Sequence, residues 1–131
     1  MNTKLRNLFD QQLERVLSEL PAQVRKLLDD VPLVVEDYPS REVLRETGVQ
    51  DRGELCGLYT GIPLTERSIE HSGVPSDVVH IYREGILNQA YDSDDQIDTE
   101  ELRKQIRLTI LHELGHHHGL TEADLRELGY D

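Results

Sequence analysis

Apolar residues recur every three or four positions along the first stretch of the chain: Leu5, Leu8, Phe9, Leu13, Val16, Leu17 and Leu20. That spacing places them on one face of an α-helix over residues 3–20. Pro21 suits the first turn of a second, short helix running to about residue 28. The apolar run 31–35 ends in Glu36-Asp37-Tyr38-Pro39 and reads as a strand with a polar exit. Residues 41–47 read as a helical turn. The segment 55–62, LCGLYTGI, reads as a strand between Gly53 and Pro63, with 65–70 extending a hairpin or forming an irregular edge. VVHIY at 78–82 is a clearer strand, and Ile86-Leu87 is expected to continue it beyond Gly85. Residues 92–98 are acidic and unpatterned, and so form a loop.

Asp98-Thr99-Glu100-Glu101 has the form of a helix start, with acids in the first turn. The helix is expected to reach about His118 and to stop at Gly119 in the left-handed conformation. Ile106, Leu108, Ile110, Leu111 and Leu114 surround this helix on nearly all sides, which predicts that it is buried. Thr121-Glu122-Ala123-Asp124 starts a last short helix by the same capping logic. The order is helix, helix, strand, strand, strand, helix, helix. It predicts an α+β protein, a small sheet packed by helices, with one domain over 1–131.

Composition narrows the functions open to such a fold. The chain has 131 residues, 14 basic against 26 acidic, for a net charge of −12. That field repels phosphate backbones, so nucleic acid is not an expected partner. No apolar run approaches the length needed to span a membrane, and the charged N-terminal stretch lacks the apolar core of a secretory signal. Cys56 is the single cysteine, which excludes an internal disulfide and suits a reducing compartment. A cytoplasmic protein is expected. Any metal site must then be built from histidine and carboxylate.

Residues 112–119, HELGHHHG, supply such a set. Four residues advance a helix by slightly more than one turn, so His112 and His116 share a face and can bind one Zn²⁺. Glu113 is rotated from them by roughly 100°. It is placed to take a proton from the metal-bound water instead of ligating. Gly115 removes a side chain in mid-helix, which makes sense if another backbone packs closely there. Gly119 turns the chain back, and Glu122, six residues after His116, can return as third ligand. Asp124 is the alternative, although Thr121-x-x-Asp124 also resembles a capping box. The competing reading, a histidine cluster on a surface helix, does not account for the motif, the apolar surroundings and Gly119 together. His117, four residues after Glu113, is open between a hydrogen bond to it and a packed or solvated side chain. His118 suits the negative end of the helix. His71 and His80 are isolated and read as structural, and Tyr130 reads as a core aromatic.

HELGHHHGLTEADL resembles the terminal motif of the small bacterial zincin-like metallopeptidases, the minimal metalloproteases. The likeness covers nearly the whole chain. Val34-Val35-Glu36-Asp37 resembles that family's first strand, and Leu58-Tyr59 with Gly61-Ile62-Pro63-Leu64-Thr65-Glu66-Arg67-Ser68 its second signature. Ile81-Tyr82-Arg83 with Ile86-Leu87 resembles its third. The resemblance implies a reduced zincin fold with HExxHxxGxx followed by an acid. The chain departs from it in carrying Glu122 where many members have Asp. Its single methionine is Met1, so the Met-turn of the related metzincins is missing.

The function expected is a zinc-dependent peptidase acting on peptide or protein substrates. His112, His116 and Glu122 (or Asp124) would hold Zn²⁺, with Glu113 as general base and residues 58–68 as an edge for an extended substrate. The alternative is a metal-stabilised binding or regulatory domain without turnover. Glu113 counts against it, because a structural zinc needs no base.

Overall fold

The computed structural model describes residues 1–61, 77–119 and 121–128, apart from the side chains of Glu122, Leu125 and Leu128. The chain begins with helices α1 (Thr3–Glu19) and α2 (Ala22–Asp30). Strand β1 (Leu33–Glu36) and helix α3 (Arg41–Thr47) follow. A single 3-10 turn, Arg52–Glu54, leads into β2 (Gly57–Thr60). The rest comprises β3 (Val78–Tyr82), α4 (Arg83–Asn88), α5 (Thr99–His117) and α6 (Glu122–Leu128). Among the described residues the sheet order is β1-β3-β2, with β1 parallel and β2 antiparallel to β3. The protein is thus α+β with a small mixed sheet, as the pattern predicts.

Packing explains the order. The apolar stripe of α1 buries Phe9, Leu13 and Val16. Val79 and Ile81 of the central strand are fully buried, and α5 contributes Leu102, Ile106, Ile110 and Leu114 to the same core. A strand flanked on both sides within its sheet and covered by helices has to be apolar on its inner face, which is what VVHIY supplies. Asn2 caps α1 through its side chain, Ser40 caps α3 and Asp98 caps α5.

Three expectations need correction. Ile86 and Leu87 do not prolong β3; they lie in α4, where both are buried. The chain turns at Arg83, and Glu84 N–H donates to the carbonyl of Asp37. Gly85 then lies against the backbone of Leu55 so closely that any Cβ would overlap the Leu55 carbonyl. A helix permits that approach while turning two successive apolar side chains into the core. Helix α5, in turn, is not buried all round. Lys104 and Arg107 are exposed, and Leu108 and Leu111 are half-buried, so one side of the helix stays open. The segment read as a strand over 55–62 also narrows to Gly57–Thr60 among the described residues. Ile62 and the 65–70 extension lie outside them.

An ion-pair network joins the first helix to the sheet. Arg83 donates to Asp10 at 2.9 Å and to Asp37 at 3.0 Å, while Arg6 donates to Asp37 at 2.7 Å. The hydrogen bond and charge of Arg6, with a further contribution from Arg83, hold the Asp37 carboxyl below its ordinary value of 3.8. A lowered folded-state pKa contributes stability above the unfolded value, and that stability is lost as pH falls through the folded value. Asp37→Asn should therefore lower stability at pH 7 by about 1–2 kcal/mol, as for a part-exposed charged pair. The difference from wild type should shrink below about pH 4. Urea melts of both proteins at pH 7 and pH 3 check this.

Candidate metal centre

Helix α5 carries two polar stripes side by side. The first is Thr109, Glu113 and His117, spaced by four and all buried. It faces β2. A Cβ on Gly57 would come within 2.6 Å of Thr109 Cγ2, 3.0 Å of the His80 carbonyl and 3.2 Å of Glu113 Cγ. Only glycine lets the strand lie this close to the helix. The second stripe is His112 and His116, both half-buried and on the open side.

The two Nε2 atoms of His112 and His116 are 3.2 Å apart, with their rings at 81°. Two nitrogens each 2.0–2.1 Å from one tetrahedral zinc are about 3.3 Å apart. The donor pair therefore fits a single metal ion. Glu113 Oε2 lies 3.7 Å from His112 Nε2, and one ligand atom from each of the three residues falls within 4.8 Å of the others. A cavity of about 350 Å³ opens beside them. Its lining includes Glu54, Cys56, Gln89, Gln105, Leu108 and Glu113, with no lysine or arginine among the described residues.

Burial pushes the Cys56 thiol up to about 11, and the negative charge of Glu113 adds to the effect. At neutral pH Cys56 is a thiol, not a thiolate nucleophile. Tyr82 is pushed up to about 12, first by burial and then by the charges of Glu36 and Glu113. It remains a neutral, buried phenol.

After the helix, Gly119 adopts φ +80°, and its N–H donates to the His116 carbonyl. This is the turn expected at that glycine. Asp124 closes a reciprocal cap. Thr121 N–H donates to its carboxylate at 2.9 Å, and Asp124 N–H donates to Thr121 Oγ1 at 3.2 Å. The backbone and side-chain hydrogen bonds of Thr121 hold the Asp124 carboxyl below the usual range. Glu122 opens α6, and its side chain lies outside the described residues.

The remaining histidines divide. His118 is exposed at the helix end. His80 bridges the sheet, with Nδ1 3.1 Å from Glu36 Oε1 and Nε2 3.3 Å from Thr60 Oγ1. That is the structural role read for it. His117 does not pair with Glu113 as one option had it; its Nδ1 lies 2.6 Å from Asp77 Oδ2. His71, Tyr130 and the signature residues 62–68 lie outside the described residues. Sequence reasoning passed over Gly57 and Asp77. A glycine inside a strand pattern signals close backbone approach, so Gly57 was legible. Asp77 carried no such signal, since its partner stands 40 positions away.

A model of the zincin-like metallopeptidases matches residues 28–130. The chain belongs to that family. No curated protein matches it. The family implies a metal, typically zinc, and peptide or protein substrates. The His112, Glu113 and His116 group of this zincin-like chain is able to take a metal ion. Among the described residues no helix is long and apolar enough to cross a membrane.

Proposed function

We propose that the chain is a single-domain zinc-dependent peptidase, with His112, His116 and Glu122 as metal ligands and Glu113 as general base. The observation that carries this reading is the convergence of the His112 and His116 Nε2 atoms to 3.2 Å on the open side of α5, with the Glu113 carboxylate next to them. Asp124 is the weaker third ligand because its carboxylate is engaged in the α6 cap.

Zn²⁺, when bound, supplies an acidified water and polarises a carbonyl. Glu113 takes the proton of the attacking water on its carboxylate and delivers it to the leaving amine nitrogen, which balances the hydrolysis of one peptide bond. Its burial beside Gly57 limits its rotamers, with Oε2 held 3.7 Å from His112 Nε2. Among the described residues β2 ends the sheet, and its residues 58–60, within the segment 58–68, are the proposed lane for an extended substrate. A substrate side chain would enter the cavity next to Glu113. With Glu54 and two glutamines on its wall, that cavity favours neutral or basic groups over acidic ones.

Elemental analysis of protein purified without tag or chelator, then loaded with zinc, tests the metal site. Close to one equivalent per chain is expected, with affinity falling as acid protonates the ligand imidazoles. Less than about a tenth of an equivalent would sink the reading, because a zincin site fills almost completely.

A further inference from the structure

We infer that Asp77 is a positioning residue for the metal site, acting through His117. This inference rests on the reading of His112 and His116 as ligands. Asp77 stands just before β3 and is only 3% exposed. Its Oδ2 accepts from Tyr59 O–H at 2.8 Å and lies 2.6 Å from His117 Nδ1. Gly61 lies against the same carboxylate with φ +139°, and any Cβ there would overlap Asp77 Oδ1. The Tyr59 ring meets the His117 ring edge-on, with centroids 5.8 Å apart. One buried carboxylate thus ties together the end of β2, the approach to β3 and the last turn of α5.

A buried carboxylate is costly unless its lone pairs are filled, so this link resists opening. Its geometric consequence falls on the neighbouring stripe. His117 directly follows His116 and comes four residues after Glu113. A helix advances 1.5 Å and rotates by roughly 100° per residue. A slide of one residue or a rotation of a few tens of degrees would break a 2.6 Å contact. Holding His117 therefore sets the rotation of α5 about its own axis. That rotation decides whether the His112–His116 pair faces the open side and the turn that leads to Glu122, and whether Glu113 faces Gly57. The turn at Gly119 that leads to Glu122 departs from this same clamped end. Partners that orient ligands from behind typically govern metal affinity by about 10–100-fold.

The test compares zinc affinity, by competition with a chromophoric chelator, in wild type, Asp77→Asn, His117→Leu and His117→Asn. Apo-protein melting and the visible spectrum of the Co²⁺-loaded protein are recorded alongside. Asp77→Asn and His117→Leu should each lose about tenfold to hundredfold in zinc affinity and show a changed Co²⁺ spectrum. His117→Asn should recover most of the affinity, because its side-chain amide can present an N–H near the place of Nδ1. A purely structural link would lower the melting temperature of all three variants and leave zinc affinity of the folded protein unchanged, and that result overturns the inference. If Asp77→Asn fails to fold, the two His117 variants decide: equal affinities overturn it. A wild type that takes up no zinc overturns the zinc-peptidase reading itself, and the positioning role with it. A wild type that binds zinc tightly alongside an unaffected Asp77→Asn overturns the positioning role alone.

Discussion

Glu113→Gln should keep zinc uptake and the fold while lowering peptide hydrolysis by about two to four orders of magnitude. The amide has nearly the shape of the carboxylate, so it preserves the packing against Gly57 and Thr109. What it loses is the capacity to take a proton. Glu113 is buried, at 8% exposed, so water cannot easily stand in for it. The measurement is turnover of a mixed peptide library by zinc-loaded wild type and variant, with metal content determined on the same samples. Equal turnover would remove Glu113 from the mechanism. Absent turnover in the wild type, with zinc retained, would favour a metal-stabilised binding domain.

Glu122→Ala and Asp124→Ala should separate cleanly. With a carboxylate lost from the proposed three-ligand site, Glu122→Ala is expected to weaken zinc binding by at least about 100-fold while apo stability barely moves. Asp124→Ala removes the carboxylate half of the reciprocal cap, the acceptor of the Thr121 N–H, and leaves the bond from its own backbone N–H to Thr121 Oγ1. It should lower apo stability and leave zinc affinity mostly intact. Zinc titration paired with apo-state melting reads both effects. The reverse pattern would make Asp124 the ligand and Glu122 a solvated acid in the first turn of α6.

The site and the fold differ in how far they can be read along the chain. His112, Glu113 and His116 are legible because all three lie on one helix, and helical geometry alone relates their directions. The stop at Gly119 and the Thr121–Asp124 cap are legible for the same reason: each is a contact between residues a few positions apart. The order of helices and strands likewise follows from local periodicity and turn residues.

The errors came where local pattern meets packing. Ile86-Leu87 is a short apolar pair that either a strand or a helix can hold, and the contact of Gly85 with Leu55, 30 positions back in sequence, decided for helix. Helix α5 looked apolar on all sides because periodicity counts Leu108 and Leu111 without knowing that both stay half-buried and that Leu108 lines an open cleft. The sequence alone therefore determined that His112, Glu113 and His116 form a group able to take a metal ion, since those relations are short-range. Tertiary structure alone decided which side of α5 is open, that Gly57 lies against Glu113, and that Asp77 grips His117. Those contacts join segments tens of residues apart, and only the packing of the sheet on the helix brings them together.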